Sequence, residues 1–335
     1  MAKIVPGVAK LAELWRGGLL ESVHFGHVVV MDSSGVIDEW GNPETIVFPR
    51  SSCKMIQALP LLESGAADRF GLGPAQLALS CASHQGAALH VDHVSRWLED
   101  LGLTEADLRC GAHEPNDRAE RDRLIRAEQQ PCQCHNNCSG KHAGFLTANK
   151  HMGGGAEYVE IDHILQKAVR AATEELAEEE IAGWGIDGCS APNFAFSLKG
   201  LARAMAAFAN AHRESGPRAS AMVRLREAMM QFPELVAGET RACTELMRAA
   251  KGRAALKTGA EGVFVGILPE KGIGIALKVQ DGNSRASEAA IAALLVRYGI
   301  VEANDPAVQR RLNPVQKNWR GFETGEIKAA AALLA

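Results

Sequence analysis

Two segments near the start of the chain have the pattern of apolar and polar residues that is typical of β-strands. Residues 21–31 have the sequence ESVHFGHVVVM and residues 35–40 have the sequence GVIDEW, and both segments are rich in β-branched and aromatic side chains. The four residues between them, Asp32-Ser33-Ser34-Gly35, have the composition of a turn. The pattern therefore predicts a β-hairpin.

Between about residues 50 and 250 the apolar positions recur every three to four residues, which indicates amphipathic helices. A polar, cysteine-rich loop interrupts this pattern between 110 and 140. After residue 255 two segments with strand character and one last helix follow. The segments expected to be helical are KMIQALPLLESG, PAQLALSCAS, HVDHVSRWLEDLG, IDHILQKAVRAATEELAEE, FSLKGLARAMAAFANAH, ASAMVRLREAMMQF and SEAAIAALLVRYG, and the two late strands are GVFVGILPE and GIGIALKVQDG.

Strands at both ends and helices in the middle predict an α+β fold. The economical arrangement joins the terminal strands, 21–40 and 254–335, in one antiparallel sheet that packs against a helical region, 50–250. No linker rich in Pro, Gly and Ser divides the chain. We therefore expect a single catalytic domain over residues 1–335.

Composition narrows the classes of function. A net charge of −4 and a pI near 6.3, without a basic stripe, exclude a nucleic-acid binder. The longest apolar runs are too short to span a bilayer, and the N-terminus has no signal-peptide core, so we expect a soluble, cytoplasmic protein. In such a chain 8 cysteines favour metal binding or catalysis over a disulfide framework.

A serine and a lysine stand three residues apart at the predicted start of an apolar helix, as Ser51 and Lys54. At this spacing the lysine amine can reach the serine oxygen. A serine hydroxyl needs a nearby base, and lysine serves as one only where burial or another cation lowers its pKa. The alternative is an ordinary helix start, with the serine as cap and the lysine in solvent.

A second element, Lys257-Thr258-Gly259, lies far downstream at the edge of a predicted strand. Ser-x-x-Lys followed late in the chain by Lys-Thr-Gly resembles the motif order of serine β-lactamases and penicillin-binding proteins. The middle Ser-x-Asn element of those enzymes is missing, because 80–84 have the sequence SCASH. The chain thus resembles the penicillin-recognising scaffold with a different pocket.

The loop CQCHNNCSGKH, residues 132–142, forms another candidate site. Cysteine thiolates and histidine imidazoles are the usual zinc ligands, but the spacing matches no standard finger or ribbon. The cysteines can equally be small buried hydrophobic residues, and a Cys138–His142 nucleophile pair is a further alternative. Residues 185–192, GIDGCSAP, add Cys189 farther along the chain.

Taken together, these segments resemble the rhizobial-type (class 3) L-asparaginases, the asparaginase II family. The matching pieces occur in family order over nearly the whole chain, and together they are highly specific. They are Pro49-Arg50-Ser51-x-x-Lys54, Ala82-Ser83-His84-x-Gly86, Gly111-x-His113-x-Pro115, Asn137-Cys138-Ser139-Gly140-Lys141-His142, Tyr158-x-x-x-Asp162-His163-x-x-Gln166, Asp187-Gly188-Cys189-Ser190-Ala191-Pro192, Lys257-x-Gly259-x-Glu261-Gly262 and Lys278-x-x-Asp281-Gly282-x-x-x-Arg285-Ala286.

The resemblance implies the serine β-lactamase fold and hydrolysis of L-asparagine to L-aspartate and ammonia. Carried over by residue, it makes Ser51 the nucleophile and Lys54 its general base. Ser83 and Lys257 would form a second Ser-Lys tandem beside the first. The motifs leave open which serine is acylated, and they leave open a preference between asparagine and glutamine.

The resemblance also implies a zinc ion held by Cys138, Lys141 and Cys189, with His142 and Asp187 beside the substrate. Lysine is an unusual ligand because its amine must be neutral to bind a metal. The alternative for Lys141 is a salt-bridged residue at a helix start, beside a two-cysteine site. We expect the zinc to shape or hold the substrate site, because the Ser-Lys machinery needs no metal-bound water.

Arg50 is a candidate for binding the substrate α-carboxylate, since bidentate carboxylate contacts favour arginine. Its alternative role is a surface ion pair. Family members are homodimers, so we expect a homodimer with a small-molecule substrate and neither nucleic-acid nor membrane partners. Two other hypotheses remain: a different serine acyl-hydrolase on the same scaffold (a glutaminase, β-lactamase, D,D-peptidase or esterase), and a non-catalytic zinc protein.

Overall fold

A computed structural model describes residues 7–335 of the chain. Within this range the strands lie mainly near the two ends, with two short strands in the middle. They are β1 (Ala9–Arg16), β2 (Leu19–Asp32), β3 (Gly35–Trp40), β4 (Ile46–Val47), β5 (Gly183–Ile186), β6 (Pro192–Ser197), β7 (Ala255–Thr258), β8 (Val263–Leu268), β9 (Ile273–Val279), β10 (Val315–Lys317) and β11 (Glu323–Ala329).

The α-helices occupy most of the middle of the chain. They are α1 (Lys54–Gln57), α2 (Leu59–Glu63), α3 (Ala66–Arg69), α4 (Pro74–Ser80), α5 (Ala88–Asp100), α6 (Arg118–Arg126), α7 (Ser139–Met152), α8 (Ile164–Ala177), α9 (Leu198–Asn210), α10 (Pro217–Gln231), α11 (Pro233–Val236), α12 (Ala242–Ala249), α13 (Ser284–Arg297) and α14 (Pro306–Leu312). Short 3-10 helices cover Arg50–Cys53, Glu105–Asp107, Gln133–His135, Ala211–Arg213 and Ala331–Leu333.

The described residues form two compact units. One, called the sheet unit, comprises 7–52, Phe196–Asn210 and Glu245–Ala335. The other, called the helical unit, comprises Cys53–Ala195 and Ala211–Thr244. The expectation of one domain over 1–335 stays a prediction.

An antiparallel sheet organises the sheet unit. Its strand order is β10-β11-β1-β2-β9-β8-β7, with β3 paired to β2. The strands β1, β2 and β3 come from the beginning of the chain and the others from its end, so the predicted α+β fold with a sheet from both chain ends is confirmed. The predicted hairpin is β2 and β3, whereas β1, β10 and β11 were not predicted.

Helices α9 and α13 pack against this sheet and build its core. The close fit of α9 depends on small residues, because a Cβ added at Gly274 of β9 would lie 2.1 Å from the backbone nitrogen of Ala206 and 2.5 Å from the carbonyl oxygen of Ala202. Helix α9 lies inside the segment predicted as the helical region, but it belongs to the sheet unit.

In the helical unit, α7 lies buried among its neighbours and contacts α4 and α5. Trp97 of α5 donates a hydrogen bond to the Thr147 hydroxyl of α7 at 3.1 Å. The predicted helix KMIQALPLL is divided into α1 and α2 at Ala58, because Pro60 has no N–H to continue the helical ladder.

Candidate active site

The 3-10 helix Arg50–Cys53 carries the predicted nucleophile, and the half-buried Ser51 is its second residue. Both the backbone N–H and the hydroxyl of Ser52 donate to the Pro49 carbonyl, at 3.1 and 2.7 Å. Arg50 has φ +53°, in the left-handed region that residues other than glycine adopt at an energetic cost. Such strain is concentrated at functional sites in proteins.

Strand β7 brings the Lys-Thr-Gly element next to this segment within the sheet unit. A Cβ added at Gly259 would lie 2.5 Å from the Pro49 carbonyl oxygen and 3.2 Å from the Ser52 nitrogen. A glycine is therefore required by the close approach of two backbones. The buried Lys257 donates to the Thr258 carbonyl at 2.9 Å. The sheet unit thus contains Ser51 and Lys257, the first serine and the second lysine of the two predicted tandems.

Lys54 is the first residue of α1 and is almost completely buried in the helical unit, with 1% exposure. Its Nζ donates to the Ala82 carbonyl, to Ser83 Oγ at 2.9 Å and to Cys138 Sγ at 3.0 Å. An ammonium group has three N–H donors, so each has an acceptor. The structure thus places the predicted base in contact with the serine of the second tandem.

Ser83 and His84 are held in place by backbone hydrogen bonds across the helical unit. Ser83 N–H donates to the Val236 carbonyl at 2.8 Å, and His84 N–H donates to the Asn137 carbonyl at 3.1 Å. The His84 ring contacts Ser139 Oγ through Nε2 at 2.9 Å. These contacts fix Ser83 relative to the start of α7.

Helix α7 and the turn that contains Cys189 bring the predicted metal ligands together. Lys141 Nζ donates to Cys189 Sγ at 3.0 Å, and the thiol of Cys138 interacts electrostatically with that of Cys189. Cys138, Lys141 and Cys189 are all buried, with 4%, 2% and 3% exposure. Three residues far apart in sequence thus form one cluster.

Within this cluster the negative charge is concentrated on Cys189. The interaction with Cys138 and the charge of Lys141 hold the pKa of Cys189 well below its usual range. The same interaction raises the pKa of Cys138. Burial by itself would lower the pKa of Lys141, but the charges of Cys189 and Cys138 outweigh burial and raise it. A thiolate–ammonium pair results.

His142, the next residue of α7, is completely buried and makes an edge-on contact with Tyr158. Its Nδ1 lies 2.9 Å from the Tyr158 hydroxyl, which accepts a hydrogen bond from the Arg109 N–H at 2.8 Å. Burial lowers the pKa of His142 to about 4, so the ring is neutral at pH 7. Within residues 7–335, His142 Nε2 is a buried polar atom without a hydrogen-bond partner.

A tight turn, Asp187–Ala191, presents Cys189 to the cluster. Asp187 N–H donates to the Ala191 carbonyl at 3.0 Å, and Ser190 N–H donates to the Asp187 carbonyl at 2.9 Å. Ser190 has φ +67°, a second strained residue next to a predicted ligand. Asp187 is half-buried, and its charge contributes to the raised pKa of Lys141.

Comparison with known protein families gives a match over nearly the whole chain. The model of L-asparaginase II matches residues 12–329. The chain belongs to the L-asparaginase II family. It is therefore related to hydrolases that act on amides, and its substrate is a small molecule. A comparison with curated proteins gave no match.

Solved structures give more distant similarities to this asparaginase II family member. Mglu in its native form is 14% identical, with a TM-score of 0.48, and the match covers 84% of this chain and 65% of that chain. A β-lactamase from Mycobacterium bovis is 12% identical, with a TM-score of 0.41, and the match covers 78% of this chain and 89% of that chain.

Within residues 7–335, no group of three or more His, Cys, Asp and Glu side chains has the spacing of a metal site. A site at Cys138 and Cys189 would thus need Lys141 as a ligand. The described helices are all too short or too polar to cross a membrane.

The residues around the Cys138–Lys141–Cys189 cluster nevertheless fit a zinc ion in their chemistry. Thiolate sulfur is a donor that zinc prefers, and an amine nitrogen can bind zinc once it has lost its proton. The unpartnered Nε2 of the adjacent His142 is a further nitrogen in this buried region. The cluster thus offers the donor types of a zinc site but not a preformed three-residue His/Cys/Asp/Glu set.

The predicted site residues of this family member fall into two groups, one in each unit. Ser51, Arg50 and Lys257 belong to the sheet unit, and the others belong to the helical unit. Sequence reasoning gave no role to Tyr158 or to the Ala82 carbonyl, although both lie in matched motifs. The signal that could have identified Tyr158 is its place in Tyr158-x-x-x-Asp162-His163.

Proposed function

We propose that this protein hydrolyses the side-chain amide of L-asparagine to L-aspartate and ammonia through a seryl acyl-enzyme. The observation that carries the proposal is Lys54, a fully buried lysine that is hydrogen-bonded to Ser83 Oγ in a chain of the L-asparaginase II family. A buried lysine next to a serine hydroxyl is suited to moving a proton to and from that hydroxyl.

In the proposed first step Ser51 Oγ attacks the amide carbon, forming a C–O bond, and its proton passes to Lys54, which acts as the base in its unprotonated form. The tetrahedral oxyanion is stabilised by backbone N–H groups. The C–N bond then breaks, and ammonia leaves with the transferred proton. The spacing of three residues between Ser51 and Lys54 in the sequence supports this pairing, because side chains three residues apart lie on one face where a helix begins.

In the second step water attacks the β-aspartyl ester and gives its proton to the lysine. The ester C–O bond breaks, aspartate leaves, and the serine oxygen regains a proton. The contact between Lys54 and Ser83 supports a proton relay that includes Ser83, and the family resemblance adds Lys257 as the partner of Ser83 in the second tandem. In this scheme Arg50, His142 and Asp187 bind the polar groups of the substrate.

The zinc ion belongs to the proposal as well. Cys138, Lys141 and Cys189 would hold it, and when bound it would supply a positive charge that positions the substrate. The chain's own contribution is the buried thiolate of Cys189, which Lys141 stabilises. Loading the ion requires Lys141 to lose a proton, so metal affinity should rise with pH.

The direct test is ammonia release from L-asparagine and L-glutamine, with wild type beside Ser51→Ala. We expect release from asparagine that Ser51→Ala abolishes. Ser52→Ala is the matched control, because it removes a neighbouring hydroxyl that bonds only the Pro49 carbonyl. Ammonia release by Ser51→Ala at the wild-type rate would refute Ser51 as nucleophile. Release from neither amide would favour the runner-up, another serine acyl-hydrolase, for which nitrocefin and a simple ester are the test substrates.

Metal content provides a separate test of the zinc site. Cys189→Ser should lose bound zinc, measured by elemental analysis of purified protein, whereas Cys243→Ser, which also changes a buried cysteine, should keep it. Retention of zinc by Cys189→Ser would contradict the ligand set. Light scattering on the same samples tests the expected homodimer.

A further inference from the structure

A second cysteine cluster lies in the helical unit and takes no part in the proposed hydrolysis. Its centre is the 3-10 helix Gln133–His135, which Cys132 precedes. His135 Nδ1 accepts a hydrogen bond from the Cys132 N–H at 3.1 Å and lies 3.3 Å from Cys132 Sγ. On its other side His135 Nε2 lies 3.3 Å from a carboxylate oxygen of Glu120.

This geometry fixes the tautomer of His135. Because Nδ1 accepts from a backbone N–H and Nε2 faces a carboxylate, the neutral ring carries its proton on Nε2. Nδ1 has a single lone pair, which faces both the Cys132 N–H and the Cys132 thiol, so the thiol proton can pass to Nδ1 only as the backbone hydrogen bond is released. Glu120 orients the ring. Glu120 is itself 5% exposed and held by Arg123 at 2.7, 3.0 and 3.1 Å.

A thiol, a histidine and an orienting carboxylate are the parts of an activated cysteine. Interactions with Cys134 and with His135 hold the pKa of Cys132 below the usual thiol range. The thiolate in turn raises the pKa of His135. Cys132 is also half-buried, whereas Cys134 and Cys110 nearby are buried, so Cys132 is the thiol of this region that small reagents reach.

The second thiol, Cys134, is placed to react with Cys132. Interaction with the neighbouring Cys132 thiol raises the pKa of Cys134, so Cys134 keeps its proton. Ser95 Oγ donates to Cys134 Sγ at 3.7 Å and helps to hold it. Two cysteines separated by one residue in a tight turn have Cα atoms close enough for a disulfide.

We propose that Cys132 and Cys134 form a peroxide-reactive redox site, in which Cys132 is the attacking thiolate, His135 its base and Cys134 the resolving thiol. The chemical class of the reactant is a hydroperoxide, with hydrogen peroxide as the simplest member. The site is separate from the residues assigned to amide hydrolysis.

The reaction balances with hydrogen peroxide as the only oxidant. The Cys132 thiolate attacks one peroxide oxygen, so that an S–O bond forms and the O–O bond breaks, and the leaving oxygen takes a proton from His135 and departs as water. Cys134 sulfur then attacks the sulfenic acid. The S–S bond forms, the S–O bond breaks, and the Cys134 proton leaves with hydroxide as a second water.

The experiment treats the folded, full-length protein with hydrogen peroxide, removes the peroxide, unfolds the protein in urea with N-ethylmaleimide so that every remaining thiol is blocked, and analyses the tryptic peptide 127–141 by mass spectrometry. This peptide contains Cys132, Cys134 and Cys138. We expect it to lose two hydrogens in mass and to carry one maleimide, on Cys138. A peptide that stays fully alkylated while buried cysteines elsewhere are oxidised would overturn the proposal.

Variants separate the roles of the residues. In Cys134→Ser a sulfenic acid on Cys132 should persist and be trapped by dimedone. Glu120→Gln should slow this trapping several-fold at an unchanged melting temperature. Cys110→Ser is the matched control and should oxidise as wild type does, since Cys110 donates to the Gln133 carbonyl and is buried. Persistence of the same mass loss in Cys132→Ser would refute the assignment.

None of these results depends on asparagine turnover. Peptide mass and dimedone trapping report on the thiols alone, so this inference and the proposed function can fail independently.

Discussion

Buried Lys54 links three parts of the helical unit through one side chain. Its partners are the Ala82 carbonyl at the end of α4, the adjacent Ser83 hydroxyl and the Cys138 thiol before α7. Burying a cation is costly unless every donor is satisfied, and here each N–H has an acceptor. A buried lysine of this kind is better explained by a role in catalysis than by a contribution to stability.

At the residue scale we predict that Lys54→Met lowers kcat for amide hydrolysis by about 10²- to 10⁴-fold, the contribution of a general acid–base group. Methionine fills similar space but cannot carry a proton. The measurement is steady-state ammonia release, with circular dichroism to verify folding. Lys150→Met is the control, because Lys150 also donates to a carbonyl, that of Leu101, and lies outside the site. A folded Lys54→Met variant with wild-type kcat would show that this lysine is not the base.

The hydrogen-bond partners of Lys54 could not be predicted from sequence spacing alone. Sequence spacing associates Lys54 with Ser51, but the hydrogen bond seen in the helical unit is to Ser83, twenty-nine positions away. Spacing relates only residues that are close in the sequence. The other partner of Lys54, Ser83, is brought near it because the chain after α4 passes close to α1. For the same reason the motifs did not reveal the hydroxyl of Tyr158 against His142.

At the scale of elements, the packing of α7 on α4 sets the position of Cys138, Lys141 and His142. A Cβ added at Gly140 would lie 2.5 Å from the Leu79 carbonyl oxygen, whereas one at Gly144 would meet the Ser80 Cβ at 3.2 Å. The Gly140 contact is with the backbone of α4, which cannot move without shifting the helix. The Gly144 contact is with a side-chain atom at a longer distance.

We therefore predict that Gly140→Ala pushes α7 away from α4, lowers the free energy of unfolding by about 1–3 kcal/mol and weakens zinc binding. Gly144→Ala should cost less and should leave metal content near that of wild type. Urea unfolding and elemental analysis on both variants provide the measurements. Equal losses in the two variants would mean that the backbone contact at Gly140 does not determine the helix position.

The helices and strands differed in how well they could be predicted from the sequence. Helices α5 and α8 follow from periodicity, because each buries one stripe, whereas the second half of β2 is buried continuously and α13 is buried on most of its faces. Strands β5 and β6 were missed, because β6 is buried along its whole length and its segment lacks alternation.

At the scale of the whole molecule, two buried histidines connect stability to pH. His84 and His90 stack with ring centroids 4.6 Å apart, and burial lowers the pKa of both rings, that of His84 well below its usual value. The unfolded chain would bind protons at these rings near pH 6.5, while the folded chain excludes them. Stability from this pair is therefore complete above about pH 6.5 and is lost as pH falls toward the folded pKa values.

We predict that the free energy of unfolding, measured by urea titration from pH 8 to pH 5, falls below pH 6.5. Each excluded proton contributes a slope of at most about 1.4 kcal/mol per pH unit. His90→Phe keeps an aromatic ring against His84 and removes one proton site, so its slope should be shallower even if its stability at pH 8 is lower. An unchanged slope in this variant would exclude His90 as a contributor.

The amino-acid sequence was sufficient to assign the class of the fold and the family, and it supplied the candidate site residues, whose roles stay predictions. Hydrophobic periodicity indicates which residues face a core, and the order of motifs indicates common descent. The fold class and the family can therefore be predicted from the sequence alone. The match to the L-asparaginase II family over 12–329 confirms the family.

The tertiary structure was needed to identify which of those residues are in contact. The Lys54–Ser83 bond, the Lys141–Cys189 pair and the contact of Gly259 with Pro49 all join segments far apart in the chain. The charge states of the cysteines were likewise hidden, because burial and neighbouring charges set them, and both are properties of the folded surroundings rather than of residue type.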